Sequence, residues 1–220
     1  MTSGQDTVIL VHGLWVHGIA MELMRRRVAR HGYRALAYSY PSVRLTLAEN
    51  AERLASYCRE LAVPRLHFVG HSLGGLIVLR MLERTAGLEP GRIVLTGTPV
   101  AGSLAAQRLA RLPGGRAALG HSMADWLNSV HPVAGGGRDI GVIAGKLPVG
   151  LGRIVAHDLP APNDGAVSVS ETRFSTMRDH IVLNVSHSGM LVSRAVAHQI
   201  CAFLRDGAFL KDEGGRMKDE

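Results

Sequence analysis

Six short apolar runs punctuate the chain, and most of the segments between them repeat apolar residues at helical steps of three or four. Thr7-Val8-Ile9-Leu10-Val11 leads into His12-Gly13-Leu14-Trp15 and reads as a first buried strand. Ile19 to His31 has helical spacing and is closed by Gly32. Arg34 to Tyr38 is a second strand, stopped by Pro41, and Thr46 to Leu61 is a helix ending before Pro64. Leu66 to Val69 is a third strand, followed by a turn at Gly70 to Gly74 and an apolar helix running to about Gly87. Arg92 to Pro99, Asp139 to Ala144 and His180 to Val185 complete the strands, and Gly189 to Leu204 is the last helix.

Strands that are short continuous apolar runs, alternating with helices, predict an α/β fold. Its sheet should be mostly parallel and six-stranded, with helices on both faces. In such sheets ligands bind at the carboxyl ends of the strands, where strand order reverses. That rule gathers His12-Gly13-Leu14, Ser72, Thr98 and His187 on one rim, since each follows the end of a strand.

Residues 101–138 are less regular. They read as a short helix from about Ala101 to Leu112, a second from Met123 to Val130, and punctuation at Pro113-Gly114-Gly115 and Gly135-Gly136-Gly137. The segment is expected to cover the site without forming a domain of its own. Gly120-His121-Ser122 within it reads as a helix start with Ser122 as its cap. Residues 146–170 read as loop. The 220 residues are taken as a single domain, 1–220, with a frayed tail over 208–220.

Composition narrows the function class. Hydrophobic residues make up 46% of the chain and charged residues 20%, as in ordinary globular proteins. No apolar run is long enough to cross a bilayer, and no basic-then-apolar leader opens the chain, so no stable membrane insertion and a cytoplasmic location are expected. The net charge is +7, but the basic residues are scattered apart from Arg25, Arg26, Arg27 and Arg30, without aromatic interleaving, which argues against a nucleic-acid partner. Cys58 and Cys201 fall on expected helices and read as buried free thiols. His12 and His17 do not have helical ligand spacing and no Cys-x-x-Cys occurs, so no metal is expected.

The chemistry centres on Gly70-His71-Ser72-Leu73-Gly74. Chance gives roughly 0.2 Gly-x-Ser-x-Gly matches in a chain of this composition, so the motif matters because a strand precedes it and a helix follows. The two glycines allow a sharp strand-to-helix turn that lifts the serine hydroxyl above the sheet edge, at a helix N-terminus. A serine needs a base. His187, directly after the last strand, is the candidate; His180 sits at the wrong end of that strand, and the side chain of His71 should point away from Ser72. The base needs a carboxylate, for which Asp164 in Asn163-Asp164-Gly165 is preferred over Asp158. An oxyanion hole needs two backbone amides: Leu73, and from the loop after the first strand Leu14, with Trp15 second. Trp15 and Met190, with Leu14, Met123 and Trp126, are candidates for an apolar acyl pocket, although core packing explains such residues as often.

The order Ser72, Asp164, His187, together with Val11-His12-Gly13-Leu14, Gly97-Thr98-Pro99 and Ser186-His187-Ser188-Gly189, resembles the α/β-hydrolase superfamily, in particular small bacterial esterases and lipases. The resemblance runs from Val8 to about Gly207. It implies a Ser72–His187–Asp164 triad, oxyanion amides at Leu14 and Leu73, and no cofactor. The chain lacks the additional N-terminal strands and the long inserted cap of larger members. The expected substrate is a small-molecule carboxylic ester of short to medium acyl chain. Acyl transfer or thioester cleavage by the same triad, and a non-catalytic binding protein on the same fold, are the alternatives; the oligomeric state is left open.

Overall fold

A computed structural model describes residues 5–63, 65–85, 90–129, 138–150 and 156–211. Its six strands are β1 (Thr7–Val11), β2 (Arg34–Tyr38), β3 (Leu66–His71), β4 (Pro90–Thr96), β5 (Ile140–Gly145) and β6 (Asp179–Leu183). They form one sheet in the order β2-β1-β3-β4-β5-β6, and every neighbouring pair is parallel. The chain leaves β1 in one direction and returns past it to β3, so strand order reverses between β1 and β3. That is where a parallel sheet opens a crevice.

The helices are α1 (Glu22–Arg30), α2 (Leu47–Leu61), α3 (Leu73–Arg84), α4 (Leu104–Arg111), α5 (Gly115–Asn128) and α6 (Arg194–Asp206). Period-two alternation along the strands sorts the core into two layers. Ile9, Val11, Phe68, Ile93 and Leu95 pack with α2, α3, α4 and α5 on one face. Val8, Leu10, Val69, Val94 and Ile143 pack with α1 and α6 on the other. Both faces are covered, which is why the strands read as unbroken apolar runs.

Helix boundaries follow their caps. Thr46 and Glu49 exchange side-chain and backbone bonds in a capping box that starts α2. The expected helix over Ile19–His31 begins instead as a 3-10 turn, Gly18–Met21, before α1. The expected helix from Gly189 is also divided. A 3-10 turn, Ser188–Leu191, precedes Ser193, whose hydroxyl accepts from the Val196 amide at 3.3 Å and starts α6 only there.

In the covering segment α5 starts at Gly115, eight residues earlier than expected at Met123, and kinks at Gly120 (φ 69°, ψ −178°). A Cβ at Gly120 would lie 2.4 Å from Val43 Cα, so only glycine lets α5 approach the 41–46 loop this closely. Ser122 is not a cap. Its hydroxyl donates to Leu45 O at 2.7 Å and accepts from Asn50 Nδ2 at 2.9 Å, which ties α5 to α2.

The expected tail over 208–220 starts too early. Phe209 is buried against Phe203, with ring centres 5.0 Å apart, and Leu210 exchanges hydrogen bonds with Gln199. Readings that fell on Pro64, Gly87, 130–137, 151–155 and 212–220 lie outside the described residues. Among the described residues no helix is long and apolar enough to cross a membrane. Cys58 and Cys201 are free and buried, and burial pushes their thiols up to about 12 and about 11.

Gly120→Ala is expected to lower stability by roughly 2–4 kcal/mol, because it combines a positive φ with overpacking against backbone. Urea unfolding measures it; an unchanged midpoint would contradict the contact with Val43.

Candidate active site

The turn between β3 and α3 places Ser72 at φ 54°, ψ −125°, a region a side-chain-bearing residue rarely occupies. The turn is held because the Ser72 amide donates to Thr96 O at 2.9 Å on β4. It is also held by the close seating of α3: a Cβ at Gly74 would lie 2.3 Å from both Val11 O and His12 O. Ser72 precedes the first residue of α3, yet its hydroxyl makes no capping bond to the helix. Leu73 is that first residue, where helical geometry leaves the amide without an intrahelical acceptor.

Asp164 and His187 arrive from the loops after β5 and β6. His187 Nδ1 donates to Asp164 Oδ2 at 2.7 Å, and the His187 amide donates to Asp164 O at 2.9 Å. Asp164 is 1% exposed. Its other oxygen, Oδ1, accepts from the amides of Ala166 at 2.9 Å and Val167 at 2.7 Å. The Asn-Asp-Gly bend therefore makes its own turn and holds the imidazole with the same carboxylate. Three donors satisfy a charge that burial would otherwise make costly. Gly97, at the end of β4, leaves room for the pair: a Cβ there would lie 3.0 Å from His187 Nδ1 and 3.1 Å from Asp164 Oδ2. With Nδ1 engaged, Nε2 of the ring is the nitrogen left to take a proton.

His71, the neighbour of Ser72 in sequence, links the turn to the His187 loop. The His71 and His187 rings are 4.7 Å apart, and a Cβ at Gly13 would lie 3.1 Å from Ser72 Cβ and 3.3 Å from His71 Cδ2. The hydroxyl of Ser72 makes no hydrogen bond to His187 among the described residues, and such contacts commonly close only around substrate. The His71 ring packs beside His187, with Nδ1 3.2 Å from Thr96 Oγ1. Burial, reinforced by the neighbouring His187, holds His71 well below the usual histidine range, so it stays neutral.

The remaining candidates divide. Asp158 pairs with Arg108 at the surface and does not reach His187. His180 is bonded to Thr172 Oγ1 at 3.0 Å and is pushed down to about 4 by burial. Leu14 is partly buried against the cluster that α3 and α5 share. Trp15 is 54% exposed, has φ 62°, and donates its indole N–H to Ala118 O at 2.6 Å. Met190 does not face an open pocket. It is 1% exposed, in the core beneath the His187 loop, because the 3-10 turn at Ser188–Leu191 aims it at the sheet. Met123 and Trp126 are likewise core residues. Two surface cavities, of about 580 Å³ over α2 and about 450 Å³ beside Gly18–Met21, are lined by none of the site residues, so chemistry rather than cavity volume marks the site.

Sequence reasoning quoted Gly97 in a motif without reading the room it leaves for the pair, and it missed the packing of His71 and Tyr40, whose ring stacks on His12 at 4.3 Å. The signal for Gly97 was a glycine directly after a strand. Nothing local marked Tyr40.

A family model described as "Alpha/beta hydrolase family" matches residues 8–167. No curated protein matches. Among solved structures the chain is similar to the mature form of a Bacillus licheniformis lipase, with TM-score 0.70, 20% identity and 92% of each chain covered. It is also similar to a metagenomic carboxyl esterase (TM-score 0.60, 19% identity, 85% of this chain and 66% of that one). A third is a Bacillus subtilis carboxylesterase (TM-score 0.58, 14% identity, 93% of this chain and 85% of that one). At these identities the likeness is one of fold.

Burial lowers the affinity of His12, His67, His71 and His180 for protons in the folded protein, and His180 reaches only about 4. The unfolded chain binds protons at such residues near pH 6.5. Below that pH the unfolded state binds more protons, so stability falls as the pH drops from about 6.5 towards about 4. The thermal midpoint should therefore be lower at about pH 5 than at about pH 7.5, with a smaller drop in His180→Gln. A midpoint independent of pH over that range would count against neutral burial.

Proposed function

We propose, from the premise that the chain belongs to the alpha/beta hydrolase family, that it is a serine hydrolase of carboxylic esters carrying short to medium acyl chains. The observation that carries this reading is the pair of buried Asp164 and partly buried His187, 2.7 Å apart, at the same end of the sheet as the strained turn of Ser72. The lipase and esterases of like fold are consistent with it.

In this reading Ser72 Oγ attacks the acyl carbon while His187 Nε2 takes the hydroxyl proton. Asp164 holds the tautomer with Nδ1 protonated and stabilises the imidazolium that forms. The carbonyl oxygen becomes an oxyanion and accepts from the Leu14 and Leu73 amides. The tetrahedral adduct collapses, the alcohol leaves with the proton from His187, and an acyl-Ser72 ester remains. Water then attacks the acyl carbon while His187 takes its proton, and His187 returns that proton to Ser72 Oγ as the ester bond breaks and the acid leaves. A neutral His71 beside the imidazolium adds no opposing charge.

The chain-length preference rests on the modest covering segment, two helices of which α5 reaches the loop after β1 through Trp15, and on the exposed apolar surface of Trp15, Leu147 and Val149.

Ser72→Ala is expected to stay folded by circular dichroism and to lose turnover of p-nitrophenyl esters together with labelling by a fluorophosphonate. Retained turnover would remove Ser72 from the mechanism. Asp164→Asn should lower kcat by roughly 10⁴-fold through the wrong imidazole tautomer, whereas Asp158→Asn should leave it unchanged. Across p-nitrophenyl esters from acetate to palmitate, kcat/KM should peak before the long chains; a peak at palmitate would contradict the substrate class.

A further inference from the structure

The loop after β1 is fastened at both sides of Leu14. On one side, the Tyr40 amide donates to His12 Nε2 at 3.2 Å, which makes Nε2 the unprotonated nitrogen. His12 Nδ1 therefore carries the proton and donates to Gly13 O at 2.8 Å. The ring cannot swing away. It is fully buried, lies at 11° to the Tyr40 ring in a stack, and the Tyr40 hydroxyl donates to His12 O at 2.8 Å. In a trans peptide the carbonyl and the following N–H point in opposite directions. Fixing the Gly13 carbonyl therefore fixes the direction of the Leu14 N–H, and Gly13 is the residue packed against Ser72.

On the other side, Trp15 is held at φ 62° by its indole bond to Ala118 O on α5. That carbonyl can accept because the kink at Gly120 interrupts the helical ladder just beyond it. A tryptophan at positive φ is strained, and the bond to α5 is the contact that opposes its relaxation.

We propose that His12 and Trp15 are positioning residues: together they aim the Leu14 amide at the oxyanion, with Tyr40 fixing the tautomer of His12 and α5 anchoring Trp15. The inference rests on the esterase reading for its catalytic consequence, but the anchoring exists in the resting protein. His12 is thus more than one half of a strand-ending His-Gly turn. Its ring passes the position of β2, through the Tyr40 amide, to the peptide that faces the nucleophile. Trp15 connects the same peptide to the covering helix.

The test uses His12→Phe, which keeps an aromatic ring for the stack on Tyr40 and loses both nitrogens, His12→Asn, which restores a donor at the Nδ1 position, and Trp15→Phe, which keeps an aromatic ring and loses the pyrrole half of the indole with its N–H. With p-nitrophenyl butyrate, His12→Phe and Trp15→Phe should lower kcat about 10- to 100-fold with KM within about twofold of wild type, as expected for a misaimed transition-state donor. His12→Asn should recover a substantial part of the His12→Phe loss. The second readout needs no turnover: the backbone amide signal of Leu14 in nitrogen-labelled protein should shift and broaden in both phenylalanine variants. Trp15→Phe, at the surface, carries the test if His12→Phe does not fold. An unperturbed Leu14 signal, or wild-type kcat, in the folded variants would overturn the proposal. Absence of ester turnover by the wild type would remove the esterase reading and leave the Leu14 signal to judge the anchors.

Discussion

The hydrogen bond from His187 Nδ1 to Asp164 Oδ2 joins two loops that leave the sheet from β5 and β6. Much else at the carboxyl edge is shaped around it. Gly97 leaves space beside the pair, and a Cβ at Gly145 would lie 2.7 Å from Asp164 Cβ. The bend at 163–167 gives the carboxylate two backbone donors, so it is bound before the imidazole is counted. A buried carboxylate this well held costs little to keep and is a fixed reference against which a histidine can be oriented. An all-parallel sheet supplies the rest, because every strand delivers its following loop to the same edge.

Around this pair the protein stores neutral histidines. His71 lies against the His187 ring and His12 stacks on Tyr40, and both are kept from protonation chiefly by burial. Neutral rings serve where a cation would not. They donate from one nitrogen and accept at the other, as His12 does between Gly13 and Tyr40, and they leave the charge balance of the neighbouring imidazole undisturbed. At the surface, by contrast, charges meet directly, as where Arg26, Arg84 and Arg205 pair with acidic side chains.

Much of the fold was legible because it depends on local patterns. Apolar runs at Thr7–Val11 and Ile140–Gly145 have no polar alternation, so they had to be strands covered on both faces. The turn around Ser72 and the Asn-Asp-Gly bend carry their own signatures. What could not be read depended on partners distant in sequence. The stack of Tyr40 on His12 spans 28 positions, and Trp15 reaches across 103 to Ala118. Gly120 resembled a helix start because nothing in its own neighbourhood reveals Val43. Met190 had the right hydrophobicity for an acyl pocket, but a 3-10 turn of four residues directs it into the core. Phe209 looked like the start of a tail because the ring that covers it, Phe203, lies on the preceding helix and invites no local rule.

The central claim is that Ser72 becomes the acyl carrier only through the imidazole that Asp164 holds. The most direct measurement is the mass of the peptide containing Ser72 after acid quench during turnover of a slowly deacylated ester. The account predicts an added acyl mass on that peptide in the wild type and none in His187→Ala. An acyl group on a different residue, or equal acylation of Ser72 without the imidazole, would contradict it.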